Sequence, residues 1–344
     1  MSVDINQFLQ NVQVALANQQ YPHAQFLVAY AIKIAKKEAS SPILLPLDVS
    51  IGLHRGRVRG ENEDCVLALQ GVLPATQEAF GLFIVADGMG GHANGQEAAH
   101  IAIQTMLDYV FPFLVGDAFP SNCLSTLSES IHQANRAIYA RNQSMESQLT
   151  GNSLAFPRSQ GSMSTSQISR MGTTTTAVLL FREVAYVANV GDSRTYLYHQ
   201  SLHALKKITQ DHSLVAQLLA DGLLQEEDIY RHPQRNQITR AVGVTPSVDV
   251  DTFVVPLYGD ETLLLCSDGL WEMTRDQKIE EVLSSSCSNA SLLADHLVQM
   301  ANDGGGADNI GCIVVRLPQH NDVSAMETIR MEPLTAHESA VHLS

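Results

Sequence analysis

From about residue 50 the chain is written in short apolar runs. They are "DCVLALQ" (64–70), "FGLFIVA" (80–86), "TTTTAVLLF" (173–181), "EVAYVANV" (183–190), "RTYLYHQ" (194–200), "ETLLLCS" (261–267) and "IGCIVVRL" (310–317). Runs of this length, rich in Val, Ile, Thr and aromatic residues, predict strands. Two longer segments, "GQEAAHIAIQTMLDYV" (95–110) and "CLSTLSESIHQANRAIYARN" (123–142), carry helical patterns instead. Gly191-Asp192 lies between two alternating segments, the spacing of a hairpin turn. Strands that pair locally, with helices in blocks between them, predict a layered α+β domain rather than a regular βαβ alternation.

The ends read differently. Residues 4–39 form a helical pattern with apolar Leu9, Val12, Leu16, Phe26 and Ile34, a break at Pro22, and lysines collecting at Lys33, Lys36 and Lys37. "SSPILLPLD" follows as a linker, because Pro42 and Pro46 forbid a continuous helix. The expected organisation is a helical extension and linker (1–49), one large domain (50–318) and a polar tail (319–344). Within the domain, residues 142–170 are Ser- and Gln-rich without periodicity and predict a mobile surface loop.

Composition narrows the partners. The 344 residues carry 36 acids against 21 bases, a formal net charge of −15. That balance argues against general nucleic-acid binding, which is driven by basic patches on phosphate backbones. The five cysteines are scattered, odd in number and without metal or redox spacing, as in reduced cytosolic proteins. No apolar run reads as a bilayer span, and the N-terminus lacks the basic start and apolar core of a signal peptide. Cytoplasmic is the expectation.

The acids then change the picture. "FIVADGMGGHANG" (83–95) ends an apolar run in Asp87, "ETLLLCSDGLW" repeats the pattern at Asp268, and "GGGADNIGCIVV" sets Asp308 just ahead of a strand. Glu63 and Asp64 precede a fourth run. Asp-Gly at a strand end is by itself an ordinary turn. Several acids at strand ends on one rim repel one another unless cations intervene, and few bases lie nearby, chiefly Arg59. Hard divalent ions are the solution, and without a His or Cys cluster Mg²⁺ or Mn²⁺ fits better than zinc. Gly88, Gly90 and Ala93 also fit a dinucleotide loop, but Asp87 directly before them repels pyrophosphate, and no ribose-binding acid follows at the expected offset.

The segments "VRGENEDCV", "VADGMGGHANGQEAA", "MGTTTTAVL", "VANVGDSRTYLY", "ITQDHSLVAQLLADG", "HPQRNQITRAVG", "LLLCSDGLWE" and "GGGADNIGCIVV" stand in one order across residues 50–317. Together they resemble the type 2C metal-dependent protein serine/threonine phosphatases (PPM family), in their bacterial branch. The resemblance implies a β-sandwich of two antiparallel sheets flanked by helices on both faces, with a binuclear metal centre at one end. By motif position it implies that Asp87 bridges both ions, that the Gly88 carbonyl binds the second, and that Asp268 and Asp308 complete the first. Glu63 and Asp64 would hold or orient metal-bound water, and Arg59 would grip substrate phosphate. The implied reaction is hydrolysis of phosphoserine and phosphothreonine in proteins by a water bridging two Mg²⁺ or Mn²⁺ ions. The implied partners are phosphorylated proteins and a cognate Ser/Thr kinase pathway.

Two places depart from the pattern. Met89 stands where many relatives carry a histidine, which leaves His92 as the candidate general acid or a loop-packing residue. "TSQISRMG" offers Gln167, Ser169 and Arg170 where an acid for a third metal is common. A third metal is therefore doubtful, and a weakly active or phosphoprotein-binding scaffold is the alternative. Residues 211–243 resemble the flap beside the active site, with His212 and Arg235 as candidate contacts, and Asp192 reads as a structural turn residue.

Overall fold

Side chains on a strand alternate between two faces, and here both faces are apolar. In β3 (Ala79–Met89), Phe83 and Val85 enter one core while Leu82 and Ile84 enter another. Such a strand must be covered on both sides, which explains why the sequence shows continuous apolar runs rather than clean alternation. The computed structural model describes residues 47–73, 78–91, 93–116, 122–152, 170–257, 259–285 and 289–317. His92, Cys287 and most of the N-terminal extension, the Ser/Gln-rich segment and the tail lie outside these residues.

Two antiparallel sheets face each other. One has the order β1 (Asp48–His54), β11 (Ile310–Arg316), β10 (Glu261–Cys266), β7 (Arg194–His199), β8 (Ala204–Lys207). The other runs β2 (Asp64–Val72), β3, β5 (Thr175–Phe181), β6 (Val184–Val190), β9 (Asp251–Pro256), with the short β4 (Gly172–Thr173) on the end of β3. Between the sheets pack Phe83, Val85, Val178, Leu180, Val187, Leu197, Leu263, Leu265, Ile313 and Val315. On the outer face of the second sheet lie α1 (Ala93–Val115) and α2 (Cys123–Asn152), through Met106, Val110, Leu114, Leu127, Ile131 and Ile138. On the outer face of the first lie α4 (Asp268–Leu283) and α5 (Ala290–Asp303), through Trp271, Ile279, Leu283, Leu293 and Leu297. The expected helix-flanked sandwich is the fold observed.

Some expectations shift. β1 begins at Asp48, so its first two residues come from the stretch read as linker, and Leu47 is buried in the inter-sheet core. α2 runs to Asn152, so residues 142–152 are helix rather than loop; Asn142 anchors it by donating to the carbonyls of Met171 and Gly243. α1 is long and apolar enough by length and composition to cross a membrane, contrary to expectation, but its apolar side is packed into the core. The sequence pattern missed α4 because the helix is interrupted at Arg275, whose φ of 60° breaks the periodicity. The flap region contains α3 (Leu214–Ala220), capped by the Ser213 side chain, and a 3₁₀ turn over Glu226–Tyr230.

Candidate metal centre

Strand direction gathers the acids. β2 and β3 are antiparallel, so the first residue of β2 lies beside the end of β3, and Asp64 pairs in register with Asp87. β10 and β11 are antiparallel as well, with Cys266 opposite Cys312, so Asp268 just after β10 and Asp308 just before β11 meet at the same rim. Glu63 is joined to this rim through its backbone: its N–H donates to Asn309 Oδ1 at 2.8 Å, and its carbonyl accepts from Gly88 N–H at 3.3 Å. The Asp87 carbonyl accepts from Thr174 N–H (2.9 Å) and Thr173 Oγ1 (2.8 Å), which fixes the end of β3.

Close approach explains two of the glycines. A Cβ on Gly88 would stand 2.1 Å from the Gly95 carbonyl oxygen, and one on Gly95 would stand 1.8 Å from Glu63 Oε2. The glycine-rich turn therefore lets β3, the start of α1 and the Glu63 carboxylate converge. Because β3 pairs antiparallel with both neighbours, it is not part of the parallel βαβ unit a dinucleotide loop requires.

The electrostatics are those of a carboxylate cluster. Burial raises the Asp64 carboxyl to about 7, against the Ser267 hydroxyl that donates to its Oδ2 at 2.7 Å; Asp308 and Glu63 add to the rise. Asp87 is raised well above the ordinary value by burial and by Asp64, Asp268, Asp192 and Asp308. Asp268 is raised well above it too, by burial and by Asp192, Glu272, Asp308 and Asp64. Asp64 Oδ1 finds no hydrogen-bond partner although its residue is only 5 % exposed. Unpaired buried carboxylate oxygens that face other carboxylates demand positive charge, and a set of oxygen donors selects a hard divalent cation. The residues present thus fit the Mg²⁺ or Mn²⁺ expected from the sequence.

Arg59 is half exposed, and its guanidinium donates to Asp308 Oδ2 at 2.8 Å, leaving other donors of the fork free to meet an incoming anion. His92 lies outside the described residues. Arg235 pairs with Glu272 at 3.6 Å, which ties the flap to α4. His212 is buried rather than exposed to substrate. Its Nδ1 accepts from Gly191 N–H at 3.0 Å, and its Nε2 lies 3.1 Å from Asp251.

Two further groups escaped the sequence reading. Asn309 clamps the Arg59 segment, donating from Nδ2 to the carbonyls of Arg55 (2.9 Å) and Glu61 (2.8 Å). Only its place directly after Asp308 hinted at this. Asp192 is not in the expected hairpin turn: β6 and β7 do not pair but belong to different sheets, so Gly191-Asp192 is the crossover between them. Its own amide holds the carboxylate, yet Oδ1 has no partner, and the group is raised to about 7 by burial, with Asp211 and Glu272 adding and Arg194 opposing. Trp271 Nε1 donates to the Asp192 carbonyl at 3.0 Å, and the fully buried Arg194 stacks on the Trp271 ring at 3.5 Å. The crossover is thereby locked against α4, and the charge of Asp192 is felt by Asp268 and Asp87.

A helix-flanked antiparallel sandwich with a carboxylate cluster for divalent cations at one end is the architecture of a metal-dependent phosphatase. The sequence profile described as Protein phosphatase 2C matches residues 75–302. A serine/threonine phosphatase, stp, from Listeria monocytogenes serotype 4b (strain F2365) is 37% identical over 261 residues, 76% of this chain and 92% of the relative. Among solved structures, the Mycobacterium tuberculosis serine/threonine phosphatase PstP/Ppp superimposes with a TM-score of 0.63 at 30% identity, covering 80% of this chain and 100% of that one. The catalytic domain of PstP in complex with 2 manganese ions gives a TM-score of 0.61 at 27% identity, covering 79% and 99%. The chain belongs to the protein phosphatase 2C family of metal-dependent protein serine/threonine phosphatases, among bacterial relatives.

Proposed function

We propose that Asp87, the Gly88 carbonyl, Asp268 and Asp308 hold the two Mg²⁺ or Mn²⁺ ions of this phosphatase, with Glu63 and Asp64 orienting water beside them. The observation that supports this assignment is the convergence of these acids at one rim, with Asp64 pushed to about 7 and one of its oxygens lacking a partner. When bound, such a pair of ions supplies a water of lowered pKa and neutralises charge on the phosphoryl oxygens. Arg59 receives the phosphoryl group of phosphoserine or phosphothreonine, its planar fork matching two oxygens at once. Asp308 keeps that fork aimed at the rim through the 2.8 Å contact. Ser267 holds Asp64 in one orientation, so that the free oxygen faces the cluster. A protein kinase must install the phosphate that is removed, and a cytoplasmic site of action agrees with the unpaired thiols of Cys65, Cys123, Cys266 and Cys312.

The test is hydrolysis of a phosphothreonine peptide with Mn²⁺ and with a chelator in its place. Arg59→Ala is expected to lower kcat/KM on that peptide about 10- to 100-fold, chiefly through KM. An unchanged KM would restrict Arg59 to holding Asp308.

Asp192 and Glu272 answer the missing acid before Met171. With Asp268 they form a buried acidic edge of the same centre, suited to a third and weaker cation that the 167–170 segment does not serve. Asp192→Asn is expected to raise the Mn²⁺ concentration for half-maximal turnover about tenfold while the rate at saturating Mn²⁺ is largely kept. An unaltered Mn²⁺ titration would restrict Asp192 to a structural role in the crossover between the sheets.

A further inference from the structure

A cavity of about 370 Å³ near the metal centre is lined in about equal parts by apolar residues, among them Met89, Ile238, Val244 and Val248, and by polar ones, among them Arg240 and Asp249. Asp87 and Met89 are two residues apart at the end of β3, hence on one face of the strand and about 7 Å apart. Resting on the phosphatase reading above, we infer that this cavity receives an apolar side chain of the phosphoprotein substrate, about one to three residues from the phosphorylated one.

The wall is built before anything binds. Thr173 and Val242 exchange backbone hydrogen bonds of 3.1 and 2.8 Å, joining the wall to β4. Two asparagines of α2 pin the next residue. Asn135 Oδ1 accepts from Gly243 N–H at 2.7 Å, and Asn142 Nδ2 donates to the Gly243 carbonyl at 3.0 Å. Val244 Cγ2 comes so close to Gly172 that a Cβ there would stand 2.8 Å away. A cavity fixed this firmly binds without first having to order itself, which favours a defined side chain over a general surface contact.

The rim selects the chemistry. The Arg240 guanidinium is already engaged, donating to Asp251 Oδ1 at 2.6 Å and to the Asp249 carbonyl at 3.3 Å. Its charge is thus balanced by Asp251, whereas the Asp249 carboxylate stands exposed at the mouth. An acidic flanking residue is repelled there, and an aliphatic or aromatic one meets the side chains of Met89, Ile238, Val244 and Val248.

The experiment uses phosphothreonine peptides with Leu, Ser or Asp placed in turn at each of the three positions on either side. At one position Leu is expected to exceed Ser in kcat/KM by about tenfold, with Asp below Ser. In Val244→Glu, and separately in Ile238→Glu, the Leu-to-Ser ratio is expected to fall to about one. Because that preference is a ratio within each enzyme, any general loss of turnover cancels. Mn²⁺-dependent hydrolysis of p-nitrophenyl phosphate, which has no flanking residue, reports the metal centre alone and is expected to stay within about twofold. A flat profile for the unaltered protein, or a preference kept in both variants, overturns the inference. Absence of Mn²⁺-dependent p-nitrophenyl phosphate turnover in the unaltered protein overturns the phosphatase reading beneath it.

Discussion

Asp87→Asn is expected to lower Mn²⁺-dependent turnover of p-nitrophenyl phosphate by about 10³-fold or more, beyond the ~10–100-fold typical of losing an outer partner of a metal ligand. Asp87 is central in the cluster, since its carboxyl feels Asp64, Asp268, Asp192 and Asp308 together. The amide keeps the size and removes the negative charge, so metal affinity falls while the packing around β3 is retained. The same substitution has a second, opposite consequence. Without metal, the acids at this rim repel one another, and replacing one by a neutral group relieves the repulsion. The metal-free variant is therefore expected to melt a few degrees above the metal-free parent, at roughly 2–4 °C per kcal/mol for a domain of this size. A thermal melt in chelator and a rate assay in Mn²⁺ together decide the matter. A variant both less active and less stable without metal would place Asp87 in the fold rather than in the centre.

Strand positions were legible because burial on both faces left uninterrupted apolar runs such as "TTAVLLF" of β5, which has every residue buried. Asp87, Asp268 and Asp308 stood out for the complementary reason, as acids at the ends of such runs. β9 was harder to see. It is an edge strand with exposed Val254 and only a weak alternation. Residues 143–148 of α2 are exposed or half-buried, so this polar stretch of helix resembled a loop.

Asp192 shows the deeper limit. In sequence, Gly191-Asp192 reads as a hairpin turn, yet β6 and β7 lie in different sheets; Gly191 takes φ 105° in the crossover between them, with its would-be Cβ 2.4 Å from Thr174. Nothing local distinguishes a turn aspartate from one turned inward. The difference arises from distant contacts, namely Trp271 on the Asp192 carbonyl and His212 on the Gly191 amide. Pairings across that much chain are set by the sheet topology, which the runs alone do not specify. The roles of Ser267 and Asn309 were hidden likewise, since a hydroxyl and an amide acquire their meaning only from the carboxylate and carbonyls brought to them.

Stability should depend on pH in opposite ways with and without metal. Asp64 has its carboxyl raised from 3.8 to about 7, and Asp192 likewise, while Asp87 and Asp268 are also raised well above the ordinary value by burial and by their neighbours. A carboxyl raised in the folded state binds its proton more tightly folded than unfolded. Its stabilising contribution is complete below pH 3.8 and is lost as pH rises through about 7. For Asp64 taken alone the linkage is on the order of 4 kcal/mol, and the neighbouring acids share rather than multiply it. Metal-free protein is therefore expected to lose melting temperature steadily between about pH 5 and 7.5. Divalent ions compete with those protons, so the stabilisation they give must grow over the same interval. At a hundredfold excess over Kd the gain is about 2.7 kcal/mol, or roughly 5–10 °C near neutral pH, shrinking toward pH 5. Melting curves with chelator and with Mn²⁺ across this range provide the check. A Mn²⁺ shift that is the same at pH 5.5 and 7.5 would mean that the raised acids are not the ligands. The effect exceeds what a surface ion pair contributes, because several acids here share one desolvated rim.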